Sequence, residues 1–179
     1  MHCSMKSLAV KSNVTFDVEM VDATFYRWKI PNFAERRARA AFQDQWASAR
    51  FGVAGMAGVL FSLAFFPKGN REDLKDHVRA ALKLRATGGR PVLHVHFDLW
   101  LEGVDGFERF RVAGTDCTFD EICAWGWSKF APQEEVFRLA EEGAFFLCCR
   151  VEPLAPLDRL EFAAANPECV SALWKRARL

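Results

Sequence analysis

Alternation of apolar and polar residues is the dominant period of this chain, and it predicts a protein made of β-strands. Phe16, Val18 and Met20 interleave with Asp17 and Glu19, and the even positions resume at Trp28 and Ile30, so 14–30 reads as one long or bent strand. Pro31 has no ladder donor and stops it. Ala34 to Ala47 is rich in helix formers, with Phe33, Ala40 and Trp46 as one apolar stripe, and is expected to be a short crossover helix. A short strand at Arg50–Val53 and a stronger one at Val59–Phe66 follow, joined over Gly55 and Gly58 as a hairpin. Pro67-Lys68-Gly69-Asn70 then turns the chain.

The cleanest alternation comes next. Val78, Ala80, Leu82 and Leu84 alternate with Arg79, Ala81, Lys83 and Arg85, and Gly88-Gly89 supplies a turn. Leu93, Val95, Phe97, Leu99 and Leu101 then alternate with His94, His96, Asp98 and Trp100. Each strand of the pair is expected to keep one dry and one wet face, as antiparallel sheets do over a core. Gly103–Gly106 turns again, a strand led by Phe110 and Val112 runs toward Phe119, and Phe145, Leu147, Cys149 and Val151 form a last strand. Seven or eight strands with one helix predict an antiparallel β-sandwich. There is no internal repeat and no low-complexity tract.

Between the last two strands stands Trp125-Gly126-Trp127-Ser128-Lys129-Phe130, three large aromatics around a glycine in an expected loop. Such clusters occur at recognition surfaces, where aromatic rings supply contact area at low rotamer cost. Closing one end of the core is the other reading, for Trp125 and Phe130 above all. Trp127, flanked by Gly126 and Ser128, is the ring expected to be exposed.

Composition narrows the function. A chain of 179 residues with 51% hydrophobic content can bury one sizeable core. A net charge of +1, from 24 basic and 23 acidic residues, leaves no footprint for nucleic acid or for an anionic membrane, and runs such as Glu35-Arg36-Arg37 read as solvated face. No window reaches the roughly 18 apolar residues of a spanning helix, and Met1 to Lys11 has no long h-region, so an intracellular (cytoplasmic or nuclear) protein is expected. The six cysteines show no CxxC pairing, which fits free, buried thiols.

Two enzymatic readings compete with recognition. His94, His96 and Asp98 lie at i, i+2 and i+4 of one strand, share a face, and have the chemistry of a zinc site for a hydrolase. Against this, no fourth ligand is evident and the Cβ atoms lie about 7 Å apart along the strand. Cys117 or Cys123 as a nucleophile, with His77, His94 or His96 as base, has no local support. A purely structural or oligomerising domain is the third alternative.

Five segments carry a family resemblance: FYRWKIPNF (Phe25 to Phe33), FFPKG (Phe65 to Gly69), HVHFDLWLEG (His94 to Gly103), WGWSKF (Trp125 to Phe130) and FFLCCRV (Phe145 to Val151). In this order they resemble the meprin and TRAF homology, or MATH, family over about 14–152. The resemblance implies an all-β, antiparallel eight-stranded sandwich without enzymatic activity or cofactor. It also implies partners carrying short linear motifs, held as extended peptides in a shallow groove, and recruitment to ubiquitin-ligase components. Trp125, Gly126 and Trp127 match the family's tryptophan-glycine-aromatic motif and would line that groove, with Gly126 admitting the peptide backbone. The family usually has phenylalanine where Trp127 stands. Members that bind serine-rich segments have tyrosines on neighbouring strands, where this chain has Ala81 and Cys117, its one tyrosine being Tyr26. A known ligand motif is therefore not transferable.

The ends read differently. Residues 1–13 are polar and mixed, an expected disordered lead. After Pro153 and Pro156 a linker leads to Asn166-Pro167-Glu168, a helix start, and Val170, Leu173, Trp174 and Ala177 share one face of a short amphipathic C-terminal helix. Neither a coiled-coil heptad nor a BTB fold is present to set the oligomeric state or bring a ligase.

Overall fold

The computed structural model describes residues 23–90, 92–121, 123–141 and 143–154. Among these residues nine antiparallel strands form two facing sheets. The first has the order β1-β9-β6-β7, with β1 Thr24–Pro31, β6 Leu93–Glu102, β7 Glu108–Phe119 and β9 Ala144–Pro153. The second has the order β2-β4-β5-β8, with β2 Trp46–Ala47, β4 Met56–Phe66, β5 His77–Thr87 and β8 Ala124–Pro132, and β3 (Phe51–Val53) pairs with β4. The all-β sandwich expected from alternation is the fold that forms, with a ninth strand because Trp46 and Ala47 pair with Phe65 and Ala64.

Inward positions of both sheets meet in one core. Phe61, Phe65 and Leu82 come from the second sheet, and Phe97, Leu99, Phe119, Phe145 and Leu147 from the first. Phe33 is 1% exposed and caps one end of this core. Its ring centroid lies 5.2 Å from that of Phe137, 5.3 Å from Phe145, 6.0 Å from Trp46 and 6.3 Å from Phe65, all edge-on. Edge-to-face packing of this kind adds to the area each ring removes from water.

The crossover helix is shorter than its composition predicts. Helix α1 spans Phe33–Arg39, and Ala40 is already extended. Lys68 donates to the Ala40 carbonyl, and Trp46 leaves the helical stripe to pair with Phe65 and pack under Arg36, whose guanidinium stands 4.1 Å from its ring. Burying that indole outweighs a few tenths of a kcal/mol of helix propensity per residue.

The strands either side of Gly88-Gly89 are not a hairpin. β5 pairs with β4 and β8, whereas β6 pairs with β7 and β9, so the chain crosses between sheets there. The outer face of β6 is also drier than expected, since Asp98 and Trp100 are buried beside Arg111 and Arg150. A second helix, α2 (Gln133–Ala140), was not anticipated by the alternation. Its signs in the sequence are Glu134 and Glu135 in the first turn, both reached by Arg138, and the apolar Val136, Phe137 and Leu139.

The lead expected to be disordered, the strand expected before Thr24 and the expected C-terminal helix fall outside the described residues. Among those described, no helix is long and apolar enough to cross a membrane. Because Phe33 joins α1, β2, β4, α2 and β9, Phe33→Ala is expected to destabilise the fold by about 3–5 kcal/mol, read as a lowered midpoint in urea unfolding.

Candidate functional site

The WGWSKF segment is a strand, not a loop. It forms most of β8, which among the described residues pairs on one side only, with β5. The register sets Leu82 opposite Trp125, Ala81 opposite Gly126 and Ala80 opposite Trp127. Residues opposite one another share a face. The two indoles therefore lie on the side of Leu82 and Ala80, toward the first sheet, while Gly126 and Ala81 lie on the outer face.

This placement exchanges the expected exposures. Trp127 is half-buried, with its ring centroid 5.4 Å from that of Phe97, and closes the core at this edge. Trp125 is 47% exposed and its Nε1 donates to the Thr118 carbonyl of β7 at 3.1 Å. It bridges the two sheets along their open side, where β7 and β8 are both edge strands. Phe130 is buried and belongs to the core.

Gly126 answers to its neighbour strand. A Cβ there would lie 2.6 Å from the Ala81 Cβ and closer still to the Ala80 carbonyl, so β5 and β8 approach through this glycine. Ala81 is itself fully buried and pairs on its other side with Ala64, which pairs with Ala47. A row of four small residues thus crosses the outer face of the second sheet.

Cys117 lies apart from this pair. It stands on β7 opposite Val95 and packs into the core. Burial pushes its thiol up to about 12, with Cys123 and Asp116 adding to the shift. Of the five residues expected to line a groove, Ala81 and Gly126 touch on the outer face, Trp125 and Trp127 share the opposite side of β8, and Cys117 faces inward from the other sheet.

The rival constellations are accounted for by other partners. His94 Nδ1 is 3.0 Å from Thr118 Oγ1, and His96 Nδ1 is 2.6 Å from Asp116 Oδ1. Asp98 accepts from Arg111 at 3.0 Å, with Arg150 at 3.7 Å. The His96 ring lies on the backbone of Gly114, where a Cβ would overlap it. Among the described residues no three His, Cys, Asp or Glu side chains converge on a metal position. The described thiols are neutral: burial raises Cys117 and Cys148 to about 12, Cys149 well above its ordinary value, and Cys123 by a smaller shift. None has a histidine partner within hydrogen-bond distance among the described residues, so none is an activated nucleophile.

Reasoning from the sequence missed Thr118, the acceptor for Trp125, and the basic side chains Arg79, Lys83 and Arg85 on the outer face of β5. The latter were visible as the charged half of an alternating strand, but the strand's place beside an edge was not.

The backbone is similar to that of TRAF5 from Notothenia coriiceps, with a TM-score of 0.54, 15% identity and 74% of each chain covered. That likeness shows a shared TRAF-type sandwich fold. The chain matches no family model and no curated protein.

Two outcomes follow from the geometry. Gly126→Ala is expected to cost about 1–3 kcal/mol by forcing β8 away from β5, measured by urea unfolding. Among the described thiols, alkylation at pH 8 followed by peptide mass mapping is expected to label Cys123 well before Cys117 and Cys148. A thiol with a pKa of about 12 has a thiolate fraction of about one in ten thousand at that pH.

Proposed function

We propose that this chain is a protein-interaction module that holds a short extended peptide along the free edge of β8, with no catalysis of its own. The observation that carries this reading is an edge of β8 with no strand partner among the described residues, bearing a half-exposed tryptophan over the open side of the sandwich. An edge strand presents unpaired N–H and C=O groups to a partner backbone, and adjacent side chains then select the partner. The MATH resemblance in the sequence and the fold shared with TRAF5 support an interaction role.

In this reading Trp125 is the anchor. It offers the accessible indole, while Trp127 holds the strand in place through Phe97 and Gly126 keeps β8 close to β5. Ala81 and the inward Cys117 leave the surroundings of the edge low, so the groove is shallow. Recruitment is the use we assign to such capture. A role in ubiquitin ligation would run through a partner that brings the ligase.

Trp125→Ala tests the reading. Its side chain is half out of the core, so the melting temperature is expected to hold while affinity for library-selected peptides falls about tenfold or more, as measured by fluorescence polarisation. Unchanged affinity in a folded variant would remove β8 as the site. Trp127→Ala is the poorer variant, because it also removes the contact with Phe97.

A further inference from the structure

Charge is divided unequally between the two sheets. All four arginines in the strands of the first sheet are ion-paired: Arg27 with Glu102, Arg109 with Asp105, Arg111 with Asp98 and Glu108, and Arg150 with Glu152. The five strands of the second sheet contain no Asp or Glu at all, yet carry Arg79, Lys83, Arg85 and Lys129. None of these four forms an ion pair among the described residues. Arg79 is the least satisfied. Its Nε is buried without a hydrogen-bond partner, its guanidinium stacks over Phe66 at 5.1 Å, and burial lowers its pKa.

Arg79 and Lys83 alternate with the core-facing Ala80 and Leu82, so both lie on the outer face. On β8, Ala124 stands opposite Lys83 and Gly126 opposite Ala81, while β8 bulges at Ser128–Phe130 beside Arg79. These small residues leave the path from β5 to the free edge low. A strand added to β8 would run about 10 Å from β5, two inter-strand spacings, which a lysine or arginine and a facing glutamate can together span. Arg85 is held by Ser62 Oγ at 2.7 Å, and Lys129 faces Asp76. That leaves Arg79 and Lys83, four residues and about 13 Å apart along one strand. The acidic residues of this neighbourhood, Asp120 and Glu121, precede β8 and act on Cys123.

We infer that the peptide captured at β8 is acidic, with two carboxylate side chains four residues apart that pair with Arg79 and Lys83 across the outer face of β8. This rests on the β8-edge reading above and adds to it the chemistry of the ligand. An extended segment rises by the same amount per residue as β5, so two side chains about 13 Å apart on its outer face can reach the two cations. A basic partner would meet like charge on every cationic side chain of this face, at a cost of several kcal/mol.

The test is selection of a randomised linear-peptide library on the full chain. Fluorescence polarisation then compares each selected peptide, its Glu→Gln version and its charge-swapped Lys version on the wild type, Lys83→Glu, Arg79→Gln and Trp125→Ala. The expected result is enrichment of Asp or Glu at two positions four apart. Neutralising the peptide or introducing Lys83→Glu should each reduce affinity about tenfold or more, and the Lys peptide should recover binding to Lys83→Glu. Circular dichroism checks that the variants are folded. Peptides that depend on Trp125 but are not acidic, and bind Lys83→Glu unchanged, would overturn the acidic ligand while leaving the edge site standing. A library that yields no binder would overturn both.

Discussion

The burial of inward-facing phenylalanines between two sheets is the interaction on which the rest of this molecule depends. Phe61, Phe65, Phe97, Phe119 and Phe145 are fully buried, and Phe33 closes one end of their cluster with four ring contacts. Each such side chain contributes about 1.5–3 kcal/mol by leaving water. The helices, the short strand β2 and the position of β8 all follow from the need to complete that core. Trp46 leaves its helix to do so, and Trp127 ties the edge strand to Phe97 from the other side.

A sandwich closed in this way still has edges. Along one side β7 and β8 end their sheets next to each other, joined by the single hydrogen bond from Trp125 to Thr118 among the described side chains. An open edge invites strand addition, which natural proteins often restrain with charge. Here the charged residues within the second sheet's strands are all basic. The arginines of the first sheet's strands are all ion-paired, whereas the second sheet leaves Arg79 and Lys83 without an ion pair among the described residues. A strand added at this edge would meet the Trp125 indole on its inward face and Arg79 and Lys83 on its outer face, which together suit an extended acidic ligand.

Much of the fold was legible in the sequence because strand period and core burial are the same signal. Leu93, Val95, Phe97, Leu99 and Leu101 alternate in the chain and are all buried in β6. Helix α1 was too long because propensity cannot weigh an indole that finds a better contact elsewhere. Helix α2 was passed over because its eight residues sit between strands whose alternation dominated the pattern. The turn expected at Gly88-Gly89 forms, but it carries the chain from one sheet to the other, because alternation states that a strand has a dry face, not which sheet it joins.

The candidate site divides in the same way. The sequence by itself determined that an aromatic cluster around a glycine and a sandwich of alternating strands occur together, since residue type and period need no neighbours to be read. Only the tertiary structure decided that WGWSKF is a strand, that Trp127 packs inward while Trp125 stays exposed, that Cys117 faces the core, and that Arg79 and Lys83 lie near a strand edge with neither strand partner nor counter-charge among the described residues. Those properties depend on which strands pair and which face each strand presents. Pairing is set by contacts between residues far apart in the chain, which no local pattern contains.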